Sequence, residues 1–310
     1  MVLVGKFREG IQVRPARNLH VDVFAIRIDD IRDVGLDRLH ALSLSVGWPH
    51  RAEDWRLLLG LGQGVVALDE IDRVIGSAMW FPHGDSFATV GMVITQPRLQ
   101  TNGTGLWLMR HVLPELAGRD LRLNATRAAQ RLYRSLDFQG EKTVFQYQGT
   151  VRPAVESEEH AVHGLIQPLA SNDLTRIIAL DAIAFGVRRE NLVETLLGQS
   201  RGYGLFRDGD LRAFALCRPF GRGHVIGPVV AATDGDAIAV VRPHLVEHDG
   251  AFVRLDTHLE TGDFTALLSQ SGLPIYDTVL TMSFGKRLAT FAPTDPAPFV
   301  TYGLASHTLG

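Results

Sequence analysis

Between an apolar run ending at Thr95 and a helical pattern starting at Thr104, the chain reads Gln100-Thr101-Asn102-Gly103-Thr104-Gly105. The first turn of a helix leaves several backbone N–H groups without intrahelical partners and carries a partial positive charge. It can therefore hold a phosphate or pyrophosphate without a dedicated lysine. Glycines at 103 and 105 permit a tight turn and let the main chain approach the anion, which side chains would prevent. A Gly-x-Gly could equally be a plain joint between strand and helix, so the spelling gains its weight from context.

Other chemically capable residues have simpler readings. Gly198-Gln199-Ser200-Arg201-Gly202 spells a nucleophile elbow but runs from a helix into a strand, the reverse of what exposes such a serine. Gly221-Arg222-Gly223-His224 lies between two expected strands and reads as a hairpin turn. His160 and His163 have no third ligand nearby, so no metal is expected. His83 and Asp85, in the turn before residues 87–95, could supply a base or could be solvated turn residues. Trp48, Trp55 and Trp80 could shape a pocket, with core packing the default for the last two.

The elements that must position the glycine turn follow from periodicity. Residues 21–28 alternate as a strand; residues 31–44 and 55–61 space their apolar side chains as helices. Residues 64–68, 74–81 and 87–95 then form an antiparallel meander that Pro97 closes, and residues 104–116 make a buried helix. A strand over 121–125, a helix over 128–136 and a strand over 143–148 complete the half. Residues 151–163 read as a linker. The second half repeats the order, with strands at 162–166, 203–207, 211–217, 224–231, 252–255 and 276–284. Its helices fall at 174–185, 192–197, 237–246 and 264–271. Such order-by-order similarity indicates a duplicated fold.

Composition is consistent with this. A length of 310 residues suits two cores, and 45% hydrophobic with 21% charged residues is ordinary for a globular chain. A net charge of −3 gives no footprint for nucleic acid. Cys217 is the sole cysteine, which excludes an intrachain disulfide and fits a reduced cytoplasm. Neither a signal peptide nor a membrane helix is expected.

Gln-x-x-Gly-x-Gly between strand and helix resembles the acyl-CoA signature of the GNAT acetyltransferase superfamily. Residues 123–138, Leu-Asn-Ala-Thr-Arg-Ala-Ala-Gln-Arg-Leu-Tyr-Arg-Ser-Leu-Asp-Phe, resemble the strand and helix that follow it there. The resemblance implies an α/β (mixed α+β) fold with two GNAT-like domains, each a largely antiparallel sheet flanked by helices. These would be an acetyl-CoA-binding domain over 1–150, a linker over 151–163 and a degenerate domain over 164–285. A tail over 286–310 follows, its aromatic residues favouring ordered packing over a free end. It further implies that acetyl-CoA is held by Met92, Val93, Ile94, Gln100, Thr101, Asn102, Gly103, Thr104, Gly105, Asn124 and Tyr133. Acyl transfer to an amine passes through a tetrahedral oxyanion and expels a thiolate, so it needs N–H donors for the oxygen and a proton source for the sulfur. The backbone of residues 91–95 would be the first and Tyr133 the second; a core tyrosine with its hydroxyl at the edge is the competing reading. Asp85 is the candidate base. Asp137 stands where the family has glycine, so the helix end there must close on a less permissive residue.

In the second half, Ala232-Thr233-Asp234-Gly235-Asp236 replaces the glycine turn, and its aspartates would repel a pyrophosphate. One coenzyme per chain is expected. Arg218, His224 and Asp256 are candidates to wall an acceptor cleft, or they satisfy local hydrogen bonds. The expected function is N-acetyl transfer to a primary amine of a small molecule in a ternary complex, by a monomer or homodimer. The alternatives are a protein or peptide acceptor and a CoA-binding sensor without turnover.

Overall fold

The alternation over residues 74–83 and 87–95 becomes a long antiparallel hairpin, β4 (Val74–His83) and β5 (Phe87–Thr95), turned at Gly84 with φ +63°. The structure is a computed structural model that describes residues 17–21, 24–100, 102–152, 163–286 and 299–310. By its internal contacts the chain forms two units. The first comprises Met1–Leu123, Ala128–Gln139 and Met282–Lys286, the second Asn124–Arg127, Gly140–Thr281 and Arg287–Gly310.

In the first unit β1 (Asn18–Val21), β2 (Phe24–Asp30), β3 (Gln63–Leu68), β4, β5 and β6 (Asp120–Ala125) up to Leu123 lie side by side in chain order. Every pairing is antiparallel except β5 with β6. The single helix expected over 31–44 is broken. Asp30 accepts the Arg32 N–H at 2.8 Å and starts a 3-10 turn at Ile31–Asp33, Val34 is extended, and α1 (Leu36–Ser45) begins after Gly35. Helix α2 (Ala52–Leu61) buries Trp55, whose indole N–H donates to Ser43 Oγ at 2.8 Å, so that tryptophan is core. Helix α3 (Thr104–Glu115) turns Leu108, Met109 and Val112 onto the sheet. Each such side chain contributes roughly 1.5–3 kcal/mol on leaving water. Gly76 makes room for this contact, since a Cβ there would lie 3.1 Å from Leu108 Cδ1.

The second unit contains β7 (Gln139–Thr150) from Gly140 on, β8 (Leu165–Pro168), α5 (Leu174–Phe185), α6 (Glu190–Gln199), β9 (Arg201–Arg207) and β10 (Asp210–Phe220). It continues with β11 (Gly223–Ala231), α7 (Asp234–Glu247), β12 (Phe252–Thr257), α8 (Asp263–Gln270), β13 (Ile275–Phe284) up to Thr281, and β14 (Val300–Gly303). Its strand order is β13-β7-β12-β11-β10-β9-β8, with β14 added to β11. Ile226, Val229, Val240, Leu255, Phe264 and Leu268 centre its core.

Two expectations shift. A break at 151–163 does not match the units, because Phe145 to Thr150 pair residue by residue with Thr257 to Phe252 and so belong with the second. The end of β13, conversely, counts with the first unit: Asp120 Oδ1 accepts the Lys286 N–H at 2.7 Å, and the Phe284 ring lies 5.7 Å from that of Phe138. Most of the linker, residues 153–162, and most of the tail, residues 287–298, lie outside the described residues. The remainder of the tail packs: Tyr302, Leu304, Ala305 and Leu309 are buried.

Candidate functional site

Along β5 the ladder to β4 slips by one residue: Ser77 faces Ile94, but Met79 faces Gly91. The slack is taken up around Met92, which adopts φ +50° and whose carbonyl accepts the Ser77 hydroxyl at 2.7 Å. A bulge interrupts pairing and re-aims the main chain. On its other side β5 pairs with β6 only at Phe87–Asp120, Ala88–Leu121 and Thr89–Arg122. From Val90 onward the two parallel strands part, and the register between them is not continued past Thr89 and Arg122. Met92 and Ile94 are buried and Val93 half-buried.

At the end of β5 a 3-10 turn at Pro97–Leu99 leads to the glycine turn. Gln100 closes it, its side-chain amide donating to the Thr95 carbonyl at 3.1 Å. Asn102 is exposed, with its N–H on the Leu99 carbonyl at 3.4 Å. Thr101 lies outside the described residues. Gly103 sits at φ +80°, a conformation glycine takes without strain. Its carbonyl receives the Trp107 N–H at 2.9 Å. The N–H groups of Thr104, Gly105 and Leu106 have no acceptor among the described residues, no side chain caps the helix, and its first turn holds no carboxylate. Thr104 is buried, yet its hydroxyl has no partner among the described residues. Donors left open at a helix start suit an anion.

Helix α4 (Gln130–Arg134) packs against this turn: a Cβ on Gly105 would lie 3.2 Å from Leu132 Cδ2. The next residue, Tyr133, is 5% exposed, with its ring edge-on to Phe138 at 5.8 Å and no hydrogen bond to its hydroxyl among the described residues. Burial pushes its pKa well above that of an ordinary phenol, making it a weaker acid, so it stays protonated at neutral pH. The helix that carries it ends through Asp137, which takes φ +66°, the left-handed conformation that the missing glycine leads one to expect. Asp137→Gly should therefore raise stability by about 0.5–1 kcal/mol in urea unfolding. An unchanged midpoint would show that the aspartate's own bonds offset the strain.

Other candidates are placed elsewhere. Asp85 is fully exposed at the tip of the β4–β5 hairpin, 4.0 Å from Arg119, beside the end of β5 that still pairs with β6. His83 is buried, stacked on Phe87 at 6.0 Å and 3.5 Å from Thr89 Oγ1. Trp48 lies 5.6 Å from His50. Trp80 borders a cavity of about 430 Å³ with Gln63, Arg32, His111 and Glu115, at the far end of α3 from Thr104. In the second unit the side chain of Asn124 is engaged at both ends, donating to the His307 carbonyl at 2.9 Å and accepting from Thr281 at 2.6 Å.

The polar residues expected to wall a cleft have internal partners. Arg218 is 2% exposed and donates to the Gly227 and Ala305 carbonyls at 3.0 and 2.8 Å. Asp256 is buried between Arg254 and His307. Burial alone would raise its pKa, but the charges and hydrogen bonds of Arg254 and His307 together outweigh burial and hold it well below the carboxylate range. His224 packs edge-on to His248 at 4.2 Å. Cys217 is buried, and burial pushes its thiol up to about 12, so it is no nucleophile. Ser200 stands between α6 and β9, and Gly221-Arg222 turn β10 into β11. Among the described residues no group of three or more histidine, cysteine or acidic residues could hold a metal. No described helix is long and apolar enough to cross a membrane.

The helix that replaces α3 in the second unit has the opposite chemistry. The Thr233 hydroxyl caps α7 by accepting the Asp236 N–H, and Asp234 and Asp236 fill its first turn. Of these two corresponding helix starts, only that of α3 is free of carboxylates. The parting of β5 from β6 and the burial of Tyr133 are the features sequence reasoning could not supply, because both depend on distant packing.

Residues 177–291 match the family model described as an acetyltransferase (GNAT) domain. By sequence, no curated protein matches the chain. Among solved structures, a protein from Pyrococcus horikoshii described as a candidate acetyltransferase superposes with a TM-score of 0.75 at 18% identity, over 95% of this chain and 99% of that one. A GCN5-related N-acetyltransferase from Sphaerobacter thermophilus gives 0.58 at 15% identity, over 85% and 96%. A tandem GNAT protein from the clavulanic acid biosynthesis pathway gives 0.57 at 13%, over 84% and 98%. At these identities the likeness is one of fold.

Proposed function

We propose that this chain is a GNAT acetyltransferase, a reading supported by the family match over residues 177–291 and by the fold it shares with solved acetyltransferases, and that its first unit transfers an acetyl group from acetyl-CoA to a primary amine of a small molecule, by direct attack in a ternary complex. The carrying observation is the start of α3, where among the described residues the amides of Thr104 to Leu106 and the buried Thr104 hydroxyl have no partner and the first turn holds no carboxylate. Acetyl-CoA, when bound, supplies an activated thioester. Gly103, Thr104 and Gly105 hold its pyrophosphate through main-chain N–H groups, with Gln100 fixing the turn and Asn102 at its rim. Beyond the bulge at Met92, the main chain of Val93 and Ile94 offers amide groups to the carbonyl oxygen where charge develops. Tyr133 donates a hydrogen bond to the departing sulfur.

The test is thiol release from acetyl-CoA by the native chain across a panel of amines and lysine-bearing peptides. Small amines should raise the rate at least tenfold over hydrolysis. Acceleration by peptides alone would assign a protein acceptor. Calorimetric binding of coenzyme A with no acceleration by any acceptor would make the unit a sensor.

A further inference from the structure

The two units repeat one backbone device. In β10 and β11, Cys217 faces Ile226 but Ala215 faces Val229, the same one-residue slip that Ser77 and Met79 show against β5. Val229 is thus the counterpart of Ile94. Like β5 and β6, the parallel pair β11 and β12 is registered only briefly, at His224–Val253 and Val225–Arg254, before the strands part into a fork. Here β14 lies between the prongs. It pairs antiparallel with β11 at Val229–Gly303, Val230–Thr301 and Ala231–Val300, and the N–H of Leu304 donates to the Asp256 carbonyl on β12 at 2.8 Å.

We infer that the β11–β12 fork is a binding site for an extended peptide, and that its resident ligand is residues 299–310 of this chain. Strand addition alone would carry little specificity, but the fork is cut to this segment. A Cβ on Gly227 would lie 1.9 Å from the Leu304 oxygen, and one on Gly303 2.9 Å from Val229 Cγ2. Two buried arginines read the peptide's main chain. Arg218 donates to the Ala305 carbonyl, and Arg189, paired with Asp181 at 2.7 Å, donates to the Leu309 and Gly310 oxygens at 3.0 and 3.1 Å. Tyr302 stands edge-on to Phe264 at 5.1 Å and gives its hydroxyl to Asp234 at 2.8 Å. Asp234 also accepts the Phe264 N–H at 3.1 Å. The carboxylate that removes anion affinity from the start of α7 is therefore used to recognise a peptide phenol. The inference rests on strand register and these bonds, not on the activity proposed for the first unit.

A full-length chain with a specific protease site inserted between Thr294 and Asp295 tests it. After cleavage of the native protein and dilution to about 1 µM, the released segment should co-elute with the body on size exclusion for hours, since a built site does not depend on the tether's effective concentration. Acetyl-CoA at about 1 mM should not displace it. In the same cleavable chain, Tyr302→Ala should speed release at least tenfold, with Tyr302→Phe between it and the parent. Loss of the segment on dilution while the body keeps its circular dichroism would overturn the inference. So would displacement by acetyl-CoA, which would make the fork a coenzyme site with a lid. Should Tyr302→Ala fail to fold, the parent and the phenylalanine variant decide.

Discussion

Tyr133→Phe should lower the turnover of acetyl-CoA with its best amine by about 10²-fold, leaving the affinity for coenzyme A within about twofold. The removed group is one oxygen, and its hydroxyl has no hydrogen bond among the described residues. Stability should therefore change by less than ~0.5 kcal/mol, which separates a chemical role from a structural one. The direction of the acidity shift refines the expectation. Burial makes this phenol a weaker acid, whereas the sulfur it is proposed to face would have an affinity for protons near that of a cysteine thiolate, about 8.5. Full transfer to sulfur is uphill, so Tyr133 acts chiefly as a donor that stabilises charge as it develops. Its proton stays in place beyond pH ~10, and kcat should show no alkaline loss attributable to it. Equal kcat for the two proteins would remove Tyr133 from the chemistry.

The second large effect is electrostatic and can be isolated by an isosteric pair. Gly103 sits at φ +80°, where asparagine and aspartate are both tolerated, and a Cβ there meets nothing within 4 Å. Gly103→Asn and Gly103→Asp should fold alike and cap α3 alike. They differ by one negative charge beside the donors of Thr104 and Gly105. Gly103→Asp should bind coenzyme A at least tenfold more weakly than Gly103→Asn in calorimetry at low salt, with the ratio shrinking as salt rises. Identical affinities for the two variants would place the pyrophosphate elsewhere.

What could be read from the sequence was what local chemistry determines. The glycine turn, the helix starting at Thr104 and the left-handed closure at Asp137 each depend on neighbours within a few residues. The meander of β3, β4 and β5 followed from alternation in the same way. What stayed hidden depends on distant pairing. Residues 300–303 carry an ordinary apolar pattern, and only the parting of β11 from β12 makes them a strand. Asn124 matches a coenzyme-site motif in type and position, yet Thr281 and His307, far along the chain, take up its amide. Arg218 and Asp256 looked available because nothing local showed that residues 304–307 come to meet them. Trp80 could be recognised as buried, but not as facing the far end of α3.

The allocation of Met282–Lys286 to the first unit bears on how the protein is made. On a ribosome the N-terminal sheet must wait for the Lys286 N–H that Asp120 accepts and for the Phe284 ring that packs on Phe138 until residues 282–286 have emerged. A gene fragment ending near codon 150 would encode a half-finished sheet rather than a minimal catalyst, and would carry away residues whose hydrogen-bonding partners are on β12. Soluble expression of such a fragment would require the lost edge to be supplied in trans, and long-range closure of this kind predicts slow, chaperone-exposed maturation.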